Sequence, residues 1–275
     1  MTTADPRYSE LAAEGPYAPA IGGALITMVQ PNPGHEIAYN RWYEDDHFYA
    51  GALAMPWMFA GRRWVALASH RAVRHPASSA VANPVTNGRY ISLYWITDGR
   101  MADHIAWTTA TNKRLRADGR GFEERTHVFT TFADYLGPVY RSDEGPRDIH
   151  ALDHRYDGLV VEIVDACSAE SIEEFDHWLA NEHIPALHRA HDGVGQSLRF
   201  RPQPLPRTFN DVVDVSGIEQ RLVLLHFLHG DPLEHWAQTF ATHGRTLESS
   251  GLGTLQFCAP FIPTEVGTNR YVFDD

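Results

Sequence analysis

Two periods of apolar residues alternate along the chain. Short runs rich in β-branched and aromatic residues, at 23–29, 89–95, 158–164 and 221–227, read as strands. Tyr39, Trp42, Tyr43 and Asp46 recur at i, i+3, i+4 and i+7, one face of a 3.6-residue helix, and Phe175, Trp178, Leu179 and Glu182 repeat that face. Second helices are predicted near 100–117 and 231–248, the latter entered through Asp231-Pro232, with Gly119 and Gly251 where each should stop.

The two sets of elements match in order. Trp42 to His47 corresponds to Trp178 to His183, Arg63-Trp64 to Arg199-Phe200, Arg89 to Trp95 with Arg221 to Phe227, and Asp103 to Thr111 with Glu234 to Thr242. Four ordered matches indicate an internal duplication. Each copy reads as strand, helix, strand, strand, helix, strand. The expected class is therefore α+β: two tandem ferredoxin-like βαββαβ repeats, each with a bare sheet face that the other can cover, closing a pseudo-dimeric α+β barrel. The expected boundaries are 1–21 for an N-terminal tail, 22–136 for the first repeat, 137–157 for a linker, 158–263 for the second repeat and 264–275 for a C-terminal tail. The stretches 68–88 and 201–219, rich in Pro, Ser, Asn and Asp, are long for hairpin loops and are expected to act as lids.

Composition narrows the function classes. A formal charge of −12 argues against a nucleic-acid partner. No apolar run reaches membrane-spanning length and no signal layout opens the chain, so the expected location is cytoplasmic, with no membrane partner. Cys167 and Cys258, the two cysteines, cannot supply a disulfide framework or a cysteine zinc site. Sixteen histidines are many for 275 residues, and composition does not assign them.

The Trp-x-x-x-Asp-His of Trp42 to His47, and Trp178 to His183 followed by Pro185, resemble the dimeric α+β barrel superfamily and in particular its EthD-like branch. The resemblance covers most of 22–136 and 158–263 and implies the barrel. It also implies that His47 and His183 border a cleft between helices and sheet. Members of this superfamily include cyclases, decarboxylases, cofactor-free monooxygenases and haem enzymes, so the fold leaves the reaction open.

From the residues themselves, Asp46 and Glu182 are expected on a core-facing helix side, where desolvation would tune a carboxyl for acid–base work. The alternative is a helix-end acid paired with an arginine. His47 and His183 follow as proton carriers or helix caps. Tyr90 and Tyr94 alternate with apolar neighbours, and Trp42, Tyr43 and Trp64 add aromatic lining for a phenolic ligand. In the second copy, Glu162 and His226 interrupt apolar strands and form an acid–base pair if they share a cavity. His104 and His235, each following an acid, read as exposed helix-start residues shared by ancestry. Arg63 and Arg199 are anion anchors or carboxylate partners.

No dinucleotide fingerprint, phosphate loop, His-Glu-x-x-His or nucleophile elbow occurs, and no cofactor or metal is expected. The first expectation is a cofactor-independent lyase, decarboxylase or cyclase acting on a hydrophobic aromatic or polyketide-like molecule, with catalysis by His47 or His183 and tuning by Asp46 or Glu182. The alternatives are an oxidoreductase, either a cofactor-free monooxygenase or a haem or metal enzyme, and a non-catalytic carrier. A homodimer is compatible with each.

Overall fold

The computed structural model describes residues 6–15, 18–55, 57–204 and 217–273. Eight strands form a closed antiparallel barrel: β1 (Ile21–Pro31), β2 (Met58–Val65), β3 (Tyr90–Thr97), β4 (Arg125–Tyr140), β5 (Gly158–Ala166), β6 (Val194–Pro202), β7 (Arg221–Leu228) and β8 (Gly253–Pro263). Their order around the barrel is β1-β3-β2-β8-β5-β7-β6-β4. Around them lie α1 (Pro6–Glu14), α2 (Glu36–Trp42), α3 (Ala68–Ala72), α4 (Met101–Ala117), α5 (Ile172–Trp178), α6 (Ile184–Ala190) and α7 (His243–Ser250). None of the described helices is long and apolar enough to cross a membrane.

Strand alternation divides the side chains between two layers. Ile26, Leu93, Trp95, Val161, Leu225 and Phe227 share one core, the barrel interior. Their strand neighbours turn outward beneath the helices, where Val160, Val164, Leu222 and Leu224 pack against Phe175, Leu179, Ile184 and Leu247. Glu162 lies between Val160 and Val164 on that outward face, and His226 lies between Leu224 and Leu228. Trp64 joins the interior core, so it sits on the opposite side of the sheet from Tyr90 and Tyr94 and does not line a pocket with them.

Several sequence expectations change. Residues 231–248 form no single helix: 3-10 turns at Pro232–Gln238 and Phe240–Thr242 precede α7. β4 continues to Tyr140, into the stretch expected as a linker. The C-terminal stretch docks on the barrel, burying Tyr271 and Val272, whose carbonyls accept hydrogen bonds from Arg89. The 68–88 segment is a strap more than a lid. Its His75 exchanges two backbone hydrogen bonds with Cys258 of β8 (3.3 and 2.7 Å), capping a strand that meets β2 only at Pro263 and Ile262. Most of the other expected lid, 205–216, lies outside the described residues.

Candidate functional site

Both signature helices end in a π-turn, Tyr43–His47 after α2 and Leu179–His183 after α5. A π-turn takes in one residue more than an α-turn, so the inward face advances by one position. His183 is therefore buried, while Glu182 points to solvent. Asp46 pairs with Arg120 near the surface, and that bond holds its carboxyl below the usual range. Neither acid faces a core or orients its neighbouring histidine. The helical period that placed Asp46 and Glu182 inward is corrected by this local widening.

In the first half, His47 stacks on Trp42 (centroids 4.2 Å apart) and meets the edge of Tyr43. Burial, with Arg125 close by, lowers its pKa to about 3, so it is neutral at physiological pH. The Tyr43 and Tyr94 hydroxyls hydrogen-bond at 2.7 Å, and the Tyr90 hydroxyl accepts from Asn40 at 2.9 Å. Arg63 lies over Tyr43 and bonds Asn40 and Glu44, while Arg199 pairs with Asp176. Both arginines are thus carboxylate partners. A neighbouring cleft of about 190 Å³, lined by Glu44, Phe48, Tyr49, Arg62, Arg63 and Val266, is smaller than the usual small-molecule pocket. His104 is fully buried on α4 against Met55, contrary to its expected exposure, whereas His235 is exposed.

The second half concentrates the reactive groups. Glu162 on β5 is fully buried, with Oε2 at 3.0 Å from His226 Nε2 of β7 and Oε1 at 2.9 Å from His243 Nδ1 of α7. His226 Nδ1 meets Ser197 Oγ at 2.7 Å, and Ser197 meets His188 Nε2 at 2.8 Å. The result is a continuous chain from His188 to His243. His183 closes the cluster, its ring 4.8 Å from that of His243 and stacked on Trp178, with Nε2 buried and without a hydrogen-bond partner.

Burial alone would raise the Glu162 pKa. The pairing with His243 and the hydrogen bonds from both histidines outweigh it and hold the carboxyl well below its usual range. Burial lowers His183 and His188 to about 4 each, so both are neutral. It also raises the Cys258 thiol, which Glu162 raises further, so the thiol keeps its proton. An ionised carboxylate between two imidazoles can accept a proton on either side while the pair stays near electroneutral. One ligand atom from each of Glu162, His183 and His243 also lies within 4.8 Å of the other two.

The sequence had paired Glu162 with His226 and had singled out His183. It missed His243 and Ser197. His243 follows a pair of short 3-10 turns with no helical period, and Ser197 sits in a strand that already carries Gln196, Arg199 and Arg201, so one more polar residue does not stand out.

No family model matches this sequence, and no curated protein matches it. Solved structures do. An anthrone oxidase-like protein covers 90% of this chain and 95% of its own, at 6% identity and a TM-score of 0.55. A candidate chlorite dismutase covers 90% and 96%, at 12% identity and a TM-score of 0.52. A variant of DypB from Rhodococcus jostii RHA1 in complex with heme covers 90% and 95%, at 15% identity and a TM-score of 0.48, too low to carry an argument. The first two neighbours support the dimeric α+β barrel fold but not the EthD-like branch. The expected cofactor-independent lyase is corrected: the anthrone oxidase-like and chlorite dismutase neighbours carry the names of oxidoreductases, the reading held second.

Proposed function

We propose that this protein is an oxidoreductase for a small apolar organic molecule, with Glu162, His183, His226 and His243 as its working centre. One observation carries the reading: a fully buried carboxylate bracketed by two histidines at 3.0 and 2.9 Å. Such a group is costly to bury and costly to leave unpaired, and perturbed ionisable groups of this kind concentrate at functional sites. The names of the anthrone oxidase-like and chlorite dismutase neighbours are in keeping with it.

Haem is the cofactor that the wider fold group suggests, and the residues of this centre do not fit it. Both ring nitrogens of His226 are engaged, and His188 Nε2 is held by Ser197. His243 is flanked by His183 at 4.8 Å and Phe240 at 5.1 Å, and His183 lies against Trp178 at 5.1 Å. A macrocycle at any of these nitrogens would have to displace the rings that pack the cluster.

The substrate class that suits this centre is a ketone with an activated methylene. The His243 imidazole, bonded to Glu162 through Nδ1, accepts the methylene proton on its other nitrogen, and Glu162 offsets the imidazolium charge. Dioxygen is the oxidant: one oxygen atom becomes the new carbonyl, and the other leaves as water with both methylene hydrogens. An oxygen electrode with anthrone as substrate tests this. Uptake of one dioxygen per ketone, abolished in Glu162→Gln and retained in Asp46→Ala, is expected. Uptake unchanged in Glu162→Gln overturns it.

We also read the chain as a duplicated EthD-like unit, with repeats at 22–136 and 158–263. Strands β4-β1-β3-β2 and β8-β5-β7-β6 run in the same relative order, which supports this. On that alignment Thr27, Tyr94 and Asn112 stand where the second copy has Glu162, His226 and His243. The first copy is then the structural half, and Trp42, Tyr43, His47, Tyr90 and Tyr94 serve packing there more than catalysis.

A further inference from the structure

We propose that Glu162, His183 and His243 form a mononuclear site for a divalent transition metal, with His226 as the partner that orients the ligating carboxylate. Three observations converge. Donor atoms from one carboxylate and two imidazoles lie within 4.8 Å of one another, all on buried residues. His183 Nε2 has no hydrogen-bond partner, although burying an imidazole nitrogen without one is costly. Glu162 Oε1 and His243 Nδ1 stand 2.9 Å apart, a spacing near that of two ligands held about 2.1 Å from one ion.

The surroundings are those of a metal ligand set. With Oε1 given to the ion, Oε2 keeps its 3.0 Å bond to His226, whose other nitrogen is tied to Ser197. Hydrogen-bonded partners behind the ligands are the usual support of such centres. Trp178 stacks on His183 and Phe240 packs beside His243, so both rings are oriented before any ion arrives. In the loaded state His226 stays outside the ligand set, held between Glu162 and Ser197.

Two histidines and one carboxylate, with further positions open, are the ligand types of catalytic zinc and of non-haem ferrous centres. A choice of iron over zinc would rest on the oxidoreductase reading; the site itself does not. The anionic carboxylate and the absence of a thiolate donor from the set suit either ion.

The test uses the full-length protein, stripped with chelator and titrated with cobalt(II), then zinc(II), then iron(II) without oxygen. One ion per chain is expected, with visible cobalt absorption and a raised melting temperature. His183→Ala leaves both Glu162 hydrogen bonds in place and so keeps the fold. It should weaken binding by more than the roughly 10–100-fold that losing an outer-shell partner costs. His47→Ala, at the matching place in the first half, should bind as the parent does. No stoichiometric binding by the stripped parent, or parent-like binding by His183→Ala, overturns the proposal. Binding without oxygen uptake retains the metal site and rejects the oxidoreductase reading. Oxygen uptake by protein that binds no metal does the reverse.

Discussion

Glu162 and His226, 64 residues apart, meet at 3.0 Å because β5 and β7 are hydrogen-bonded neighbours and both side chains turn to the helix-covered face. With both residues wholly enclosed, this pair is a stability element as well as a reactive one. Glu162→Ala leaves His226 and His243 without their shared acceptor and is expected to cost about 3–5 kcal/mol. Urea unfolding of the single variants and of Glu162→Ala/His226→Ala measures the coupling. Additive losses would show that the two residues act independently.

The π-turns make opposite forecasts for adjacent residues. Asp46→Ala removes only a partly exposed pair with Arg120 and should cost less than about 1 kcal/mol. Glu182→Ala, at an exposed site, should be near neutral. His183→Ala, one residue further on, should abolish turnover while the circular dichroism spectrum is kept. If Glu182→Ala were the more damaging change, the inward face would be the one an unbroken α-helix predicts.

The same comparison shows what the sequence could reveal. Strand alternation and ordered matches between the halves made the α+β barrel legible, because burial on a sheet follows a strict period of two. Glu162 and His226 were visible as polar breaks in apolar strands. Asp46 and Glu182 were misplaced because a π-turn leaves no mark in a pattern read at 3.6 residues per turn. His243 stayed hidden for a related reason: broken 3-10 turns precede it, and its partner Glu162 lies 81 residues away. The lyase reading failed at another level, since acid–base residues alone do not distinguish proton transfer from oxidation.

The C-terminal residues hold the first half together. Arg89 is buried and donates to the carbonyls of Tyr271 and Val272, which pack beside Tyr39, Tyr43 and Tyr90. Ending the chain at Thr264 removes these acceptors and two buried apolar side chains, a loss of about 3 kcal/mol or more. Calorimetry should show melting fall by roughly 6–12 °C. An unchanged transition would mean that the docked segment adds nothing to the barrel.

Acid should destabilise the protein well before its carboxylates titrate, and His104 supplies the clearest case. Burial alone lowers its pKa from 6.5 to about 4. Above pH 6.5 the folded and unfolded forms are both neutral, and the residue exerts no pH-dependent effect. Between 6.5 and 4 the unfolded chain takes up a proton that the folded chain refuses, so stability falls as pH falls. At pH 5 the loss is about 2 kcal/mol, against about 0.2 kcal/mol at pH 7. His127, lowered to about 4 chiefly by burial, and His47, lowered to about 3, push in the same direction. His104→Leu keeps an apolar side chain beside Met55 and Phe132 and removes the titrating group. Its unfolding free energy between pH 7 and pH 5 should therefore decline less than that of the parent, by close to 2 kcal/mol. Parallel pH profiles would show that His104 is protonated in the folded state and that its burial exerts no such control.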